Sequence, residues 1–157
     1  MTAAGRAGGV IRPIAEGDFD RWLPLWHGYL RFYRAELADD VTRATFGRLC
    51  EADEVFGFVV ESEGELVGLV HALLHPTTWS RAPSCYLEDL FVAQAARGSG
   101  AARALVEEVA AEGARRGAAK VYWLTQEFNG PARSLYDRIA TRSSFVVYER
   151  DLPGSTG

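Results

Sequence analysis

Cysteine and methionine are scarce in this chain, with two of the first and one of the second among 157 residues. Two cysteines, Cys50 and Cys85, cannot build a disulfide framework. Neither has a Cys-x-x-Cys partner or a histidine at zinc spacing, so both read as reduced core residues of a cytoplasmic protein that holds no metal. Long apolar runs are missing too: nothing approaches the ~20 residues that span a bilayer, and no membrane partner is expected. The Gly/Ala-rich start, residues 1–9, lacks the apolar segment of a signal peptide and reads as a disordered leader. Basic residues are outnumbered, giving a net charge of −4. Nucleic acid, which demands a concentrated basic surface, is therefore disfavoured as a partner.

The chain does have 48% hydrophobic content, and its length suits one domain over 10–152 with a tail at 153–157. Between Glu16 and Glu65 twelve acidic residues stand against five arginines, whereas beyond Arg97 the signs nearly balance. Such asymmetry suits a cationic substrate on one side and an anionic cofactor on the other, although solvated helix surface accounts for most of the acids one by one.

Periodicity divides the chain into elements. Val10–Ile14 alternates, contains Pro13 and reads as a first strand near a sheet edge. From Asp18 onward Trp22, Leu25, Trp26, Tyr29, Leu30 and Tyr33 recur at steps of three and four, a helix that Pro24 kinks or starts afresh. An aromatic stripe of this kind is core by default, yet Trp26, Tyr29 and Tyr33 have polar edges that suit a groove for an alkyl amine. Asp39-Asp40 reads as the N-cap of a second helix ending near Cys50. Phe56–Glu61 and Leu66–Leu74 are strands joined by a hairpin loop. His71 and His75, on or just after the second strand, read as structural. A loop between Pro76 and Pro83 carries Trp79, which either covers a site or packs on the sheet edge. After a central strand, Tyr86–Val92, come a helix from Ala101 to Arg116 and a parallel strand, Lys120–Thr125, reached by a right-handed crossover. A last helix opens at Asn129-Gly130-Pro131 with Leu135, Tyr136 and Ile139 inward, and Phe145–Arg150 reads as the closing strand.

The stretch that organises the rest is Tyr86–Leu105: strand, small-residue loop, helix. Glu88 and Asp89 interrupt the apolar strand. Arg97, Gly98, Ser99 and Gly100 lead into a helix whose first N–H groups and dipole favour a phosphate. Strand alternation lets only one of the two carboxylates point into any one pocket. Competing glycine loops fail on spacing: the third glycine of a dinucleotide fingerprint would be Arg103, and no Gly-Lys-Ser/Thr follows for a Walker loop.

The remaining pattern, Arg97-Gly98-Ser99-Gly100-Ala101-Ala102, resembles the pyrophosphate loop of the GNAT acyl-CoA N-acyltransferases. With Tyr86-Leu87-Glu88-Asp89-Leu90-Phe91-Val92 and Asn129-Gly130-Pro131-Ala132-Arg133-Ser134-Leu135-Tyr136, it carries a resemblance to that superfamily from Val10 to Leu152. The Leu-Glu-Asp strand and the Asn-x-x-Ala-x-x-Leu-Tyr run look most like its histone/polyamine (diamine) acetyltransferase branch. The chain departs from many relatives at Ala140–Ser144, where they have glycine. The resemblance implies an α/β fold with a mixed, mostly antiparallel sheet, a central splayed parallel strand pair and about four helices.

The same resemblance implies acetyl-CoA as co-substrate. Its pantetheine arm would run along Leu90, Phe91 and Val92, and its pyrophosphate would sit on Arg97 to Ala102, with Asn129, Ala132 and Arg133 also toward the cofactor. It implies direct attack by a primary amine, with Glu88 as base and Tyr136, a phenol protonated at neutral pH, as acid for the departing thiolate. A small polycationic amine is the expected acceptor, met by Trp26, Tyr29, Tyr33, Trp79, Glu88 and Asp89. A peptide lysine or N-terminal amine as acceptor, and a non-catalytic acyl-CoA sensor, stay open, as do monomer and homodimer.

Overall fold

The computed structural model describes residues 4–5 and 9–154. Of the leader expected over 1–9, only 4–5 and 9 are therefore described, and residues 155–157 of the tail are outside. Two compact units divide the chain, Met1–Trp123 and Leu124–Gly157.

The first unit is built on a six-stranded sheet whose spatial order equals its chain order. The strands are β1 (Ala4–Gly5), β2 (Gly9–Pro13), β3 (Val55–Ser62), β4 (Glu65–His75), β5 (Ser84–Val92) and β6 (Lys120–Tyr122), with helices α1 (Phe19–Phe32), α2 (Asp39–Glu51) and α3 (Ala101–Arg115). Every neighbouring pair is antiparallel except β5 and β6, which are parallel and joined through α3. Glu63 and Gly64 join β3 to β4 with φ of 53° and 81°. Two positive φ values in a two-residue loop match the twist of the flanking strands, which is what fixes this hairpin's register.

One face of the sheet is covered by α1 and α2, through a buried cluster that includes Trp22, Leu25, Trp26, Leu30, Phe46, Leu49, Val59 and Leu69. The other face receives α3, where Leu105 and Val109 are fully buried and Gly113 lies against Cys85. The start of α1 is fixed by charge. Arg12 of β2 donates to both carboxylate oxygens of Asp18 at 2.7 and 2.8 Å and to Glu61 of β3 at 2.7 Å. Arg21 joins from α1 at 3.0 Å to Asp18. Hydrogen bonding from Arg12 lowers the Asp18 pKa to about 2.

Several elements differ from expectation. Pro24 lies inside α1, yet the helix runs unbroken from Phe19 to Phe32. The cap of α2 is Ala38; Asp39 and Asp40 occupy its first turn, where the positive end of the helix dipole favours them, and Asp40 Oδ1 accepts the Val41 N–H at 2.9 Å. Cys85 is buried as expected, but Cys50 is only partly so. Strand β6 stops at Tyr122 instead of Thr125, for a reason given by β5 below.

The second unit contains α4 (Gly130–Ile139), with Asn129 as its N-cap residue and Pro131 in the first turn. Leu135, Tyr136 and Ile139 are half-buried. The closing strand expected over Phe145–Arg150 is not formed, and Phe145, Val146, Val147 and Tyr148 are exposed. Aromatic and β-branched composition favours a strand only where a neighbouring ladder receives it, and no described strand pairs with this segment.

Candidate active site

The site begins with an irregularity in β5. Asp89 pairs with His71 of β4 and Leu87 pairs with Ala72, so Glu88 is an extra residue in the ladder, a β-bulge. Bulges bend the bulged strand and increase its twist. The parallel ladder to β6 accordingly ends at Tyr86 and Tyr122, just short of the bulge. From Leu87 to Val92 no described strand pairs with the edge of β5 that β6 would have covered, and, apart from the Val92 carbonyl that Arg97 approaches, its N–H and C=O groups are available to an extended ligand.

The bulge also revises the alternation expected of neighbouring strand residues. Leu87 is buried, while Asp89 turns to the α1 face, where its Oδ2 lies 2.9 Å from His71 Nδ1. Glu88 is exposed, and the Tyr29 phenol of α1 feels the charge of both carboxylates. Although Glu88 reaches solvent, partial desolvation by the surrounding protein, and then the charge of Asp89, raise its pKa above the usual carboxylate value, with His71 and Arg48 opposing. Burial also pushes the Tyr29 phenol well above its ordinary range, helped by the charge of Asp89 and a hydrogen bond to it.

Beside these acids runs an aromatic ladder along α1. Trp22 stacks on Trp26 with centroids 5.6 Å apart, Trp26 on Tyr29 at 5.2 Å, and Tyr29 meets Tyr33 at 4.9 Å. The expected lining residue Trp26 is only 5% exposed, so it is core, and its Nε1–H has no hydrogen-bond partner among the described residues. Tyr29, half-buried, and Tyr33, exposed, carry the ladder outward. Trp79 is 86% exposed on the β4–β5 loop.

His71 was read as structural, and sequence gave no reason to single it out. Its Nε2 receives the Trp22 indole N–H at 3.1 Å, so the ring links α1, β4 and the bulge. His75, four residues on, receives the Tyr122 hydroxyl at 2.7 Å and turns its other nitrogen to the Pro76 carbonyl at 2.9 Å.

At the other end of β5, Arg97 is extended and its Nε donates to the Val92 carbonyl at 3.4 Å. Gly98 and Gly100 have φ of 80° and 88°, and a Cβ at either would meet nothing within 4 Å. Glycine is required here by backbone conformation, and the space above it is open. Gly100 caps α3. Ser99 Oγ accepts the Ala101 N–H at 3.4 Å, and the first N–H drawn back into the helix is that of Ala104, bonded to Gly100 O at 3.0 Å. Ser99 N–H already donates to Ala96 O and Ala101 N–H to Ser99 Oγ, so the groups left for an anion are those of Gly98, Gly100, Ala102 and Arg103. These features fit a pyrophosphate with an extended arm along β5.

In the second unit, Asn129 Nδ2 donates to Thr125 Oγ1 at 3.4 Å and Arg133 Nη1 to the Glu127 carbonyl at 2.6 Å. Ala132 and Tyr136 lie on α4. Among the described residues no group of three or more His, Cys, Asp or Glu is arranged to hold a metal ion, and no helix is long and apolar enough to cross a membrane.

Comparison with known proteins agrees with this geometry. Residues 21–140 match the model of the Acetyltransferase (GNAT) family. The chain is 30% identical over 145 residues to D-amino-acid N-acetyltransferase HPA3 of Saccharomyces cerevisiae, covering 90% of each. It is also 30% identical over 147 residues to the uncharacterized N-acetyltransferase YhfO of Bacillus subtilis, covering 91% of this chain and 97% of that one. Among solved structures, AAC(6')-Iy in complex with a CoA-linked acetylneamine bisubstrate analogue superposes with a TM-score of 0.79 over 90% of this chain and 97% of the other, at 20% identity, a likeness of fold.

Proposed function

The chain belongs to the GNAT acetyltransferase family and is an acetyl-CoA-dependent N-acetyltransferase, and from that premise we propose that its acceptor is a small amine carrying more than one positive charge. The observation that carries this reading is the bulge, which leaves Glu88 unpaired and exposed next to Asp89, with Tyr29 of α1 within electrostatic reach of both.

Acetyl-CoA supplies an activated acetyl group as a thioester. The Gly98–Ala102 turn and Arg97 hold its pyrophosphate, the edge at Leu90, Phe91 and Val92 aligns its pantetheine arm, and Asn129, Ala132 and Arg133 are the further cofactor residues that the family resemblance implies. An alkylammonium near pKa ~10.4 must lose a proton before attack. Glu88, directly or through water, takes that proton. Its raised pKa brings it closer to the operating pH, where a general base works best. The free amine attacks the carbonyl carbon, the C–S bond breaks, Tyr136 donates its phenolic proton to the leaving thiolate, and the proton that nitrogen loses on becoming an amide restores the phenol. Asp89 holds the cation, and the faces of Tyr29 and Tyr33 receive methylenes or a second ammonium. The cytoplasm, where free thiols such as Cys50 and Cys85 persist, is the proposed setting.

A second reading has specific support. The yeast relative is named for D-amino acids, and Arg48 of α2 acts electrostatically on Glu88, so an amino-acid carboxylate would find a cation near the base. One panel separates the two: diamines, monoamines of equal length, D- and L-amino acids, aminoglycosides and N-terminal peptides, assayed at low salt. Higher kcat/KM for diamines than for monoamines supports the polycation reading. A preference for amino acids that Arg48→Ala abolishes replaces it.

A further inference from the structure

We propose that His71 is a positioning residue for acetyl transfer: fixed by Trp22, its Nδ1–H holds the Asp89 carboxylate beside Glu88, so that the acceptor ammonium meets two negative charges instead of one. This rests on the reading of Glu88 as base.

The argument starts from the indole, which is a donor and never an acceptor. Because Trp22 Nε1 lies 3.1 Å from His71 Nε2, Nε2 must carry the lone pair and the ring's proton must sit on Nδ1. That proton has one partner, Asp89 Oδ2 at 2.9 Å. The ring cannot turn to a different arrangement without losing both bonds, and Trp22 and Trp26 pack against it with centroids at 5.8 and 5.2 Å. The His71 and Asp89 side chains are 5% and 13% exposed, so water replaces neither bond at low cost.

His75, four residues on, meets the Pro76 carbonyl and the Tyr122 hydroxyl and touches no carboxylate. His71 instead spends its donor on a carboxylate one residue from the exposed Glu88, on a different strand. Asp89 is thereby oriented from β4, and its carboxylate is kept at the bulge. The groups that act on Glu88 are Asp89 on its own strand, His71 from β4 and Arg48 from α2, while Tyr29 on α1 feels its charge in return.

The test is steady-state kinetics on the full chain with acetyl-CoA and the best amine of the panel. Losing a hydrogen bond to a charged group should lower kcat/KM for the amine by about tenfold in His71→Phe, with KM for acetyl-CoA unchanged. His71→Asn, whose amide keeps an N–H near the Nδ1 position, should recover most of the loss. His71→Gln, which keeps an acceptor for Trp22 but no donor toward Asp89, should not. In an Asp89→Asn background, His71→Phe should cost less than about twofold more, because a residue acting through another is not additive with it. Full additivity, equal behaviour of the Asn and Gln variants, or an unchanged His71→Phe overturns the proposal, and the Asn and Gln pair decides it if the Phe variant does not fold. Glu88→Gln is measured alongside: if it stays fully active, the assignment of the base falls and His71 with it. If it is inactive while the His71 variants behave as wild type, only the role of His71 falls.

Discussion

Glu88 stands beside Asp89 at the point where the β4–β5 ladder skips a residue, and the charge of one bears on the proton affinity of the other. A pH profile should show it. Protonated Glu88 cannot accept the ammonium proton, so kcat/KM falls as pH drops through its pKa, and burial together with Asp89 places that acid limb above the ordinary glutamate value of ~4.3. Asp89→Asn removes a negative neighbour and should move the limb down. Glu88→Gln should lower kcat/KM by roughly 10²–10⁴ at neutral pH. An acid limb that stays in place in the Asp89→Asn enzyme rejects Glu88 as its origin.

Gly100→Val places a β-branched residue at a φ of 88°, a conformation that costs about 1–3 kcal/mol, and Arg97→Ala removes the cation beside it. Both variants should weaken acetyl-CoA in calorimetric titration, by about tenfold or more for the strained turn, and leave amine KM nearly unchanged. Wild-type cofactor affinity in both would remove the pyrophosphate from this loop.

Tyr136→Phe keeps the ring on α4 and deletes the hydroxyl. Turnover should fall by roughly two orders of magnitude, the scale of a lost general acid, with acetyl-CoA affinity intact in the same titration. A fully active variant returns Tyr136 to a packing role.

Asp18 makes a stability prediction that is independent of catalysis. Its pKa is about 2 in the folded chain against 3.8 for an unperturbed aspartate. A depressed native pKa stabilises above the unfolded value, and the contribution is lost as pH falls from near 4 toward 2. Its worth is about 2 kcal/mol at neutral pH. Urea unfolding of Asp18→Asn should show a loss of that order or more at pH 7, since Arg12 loses a partner. The gap from wild type should narrow by pH 3; an equal gap at both values contradicts the linkage.

What could be read in the sequence was local. The turn at Gly98–Gly100 and the β3–β4 hairpin are each encoded within a few residues, by positive φ and by a two-residue loop. The pairing of Glu88 with nothing was not readable, because a bulge is a relation between β5 and β4, and alternation alone assigned one carboxylate per side. The burial of Trp26 and the partnership of His71 were hidden likewise: 49 residues separate His71 from Trp22, and no spacing rule joins a helix residue to a strand residue that far away. For Phe145–Arg150 composition misled, since strand propensity says nothing about whether a neighbour is present to pair.

The four tryptophans fall into three environments. Trp22 and Trp26 are stacked, buried and in contact with His71, Trp123 is half-buried, and Trp79 stands 86% in solvent. A soluble quencher such as iodide reaches Trp79 and leaves the stacked pair emitting to the blue. Because Trp26 also packs on Tyr29 and on His71, which bonds Asp89, an amine arriving at the bulge should perturb the protected emission. Occupancy of the acceptor side can therefore be followed without a label, a coupled assay or turnover.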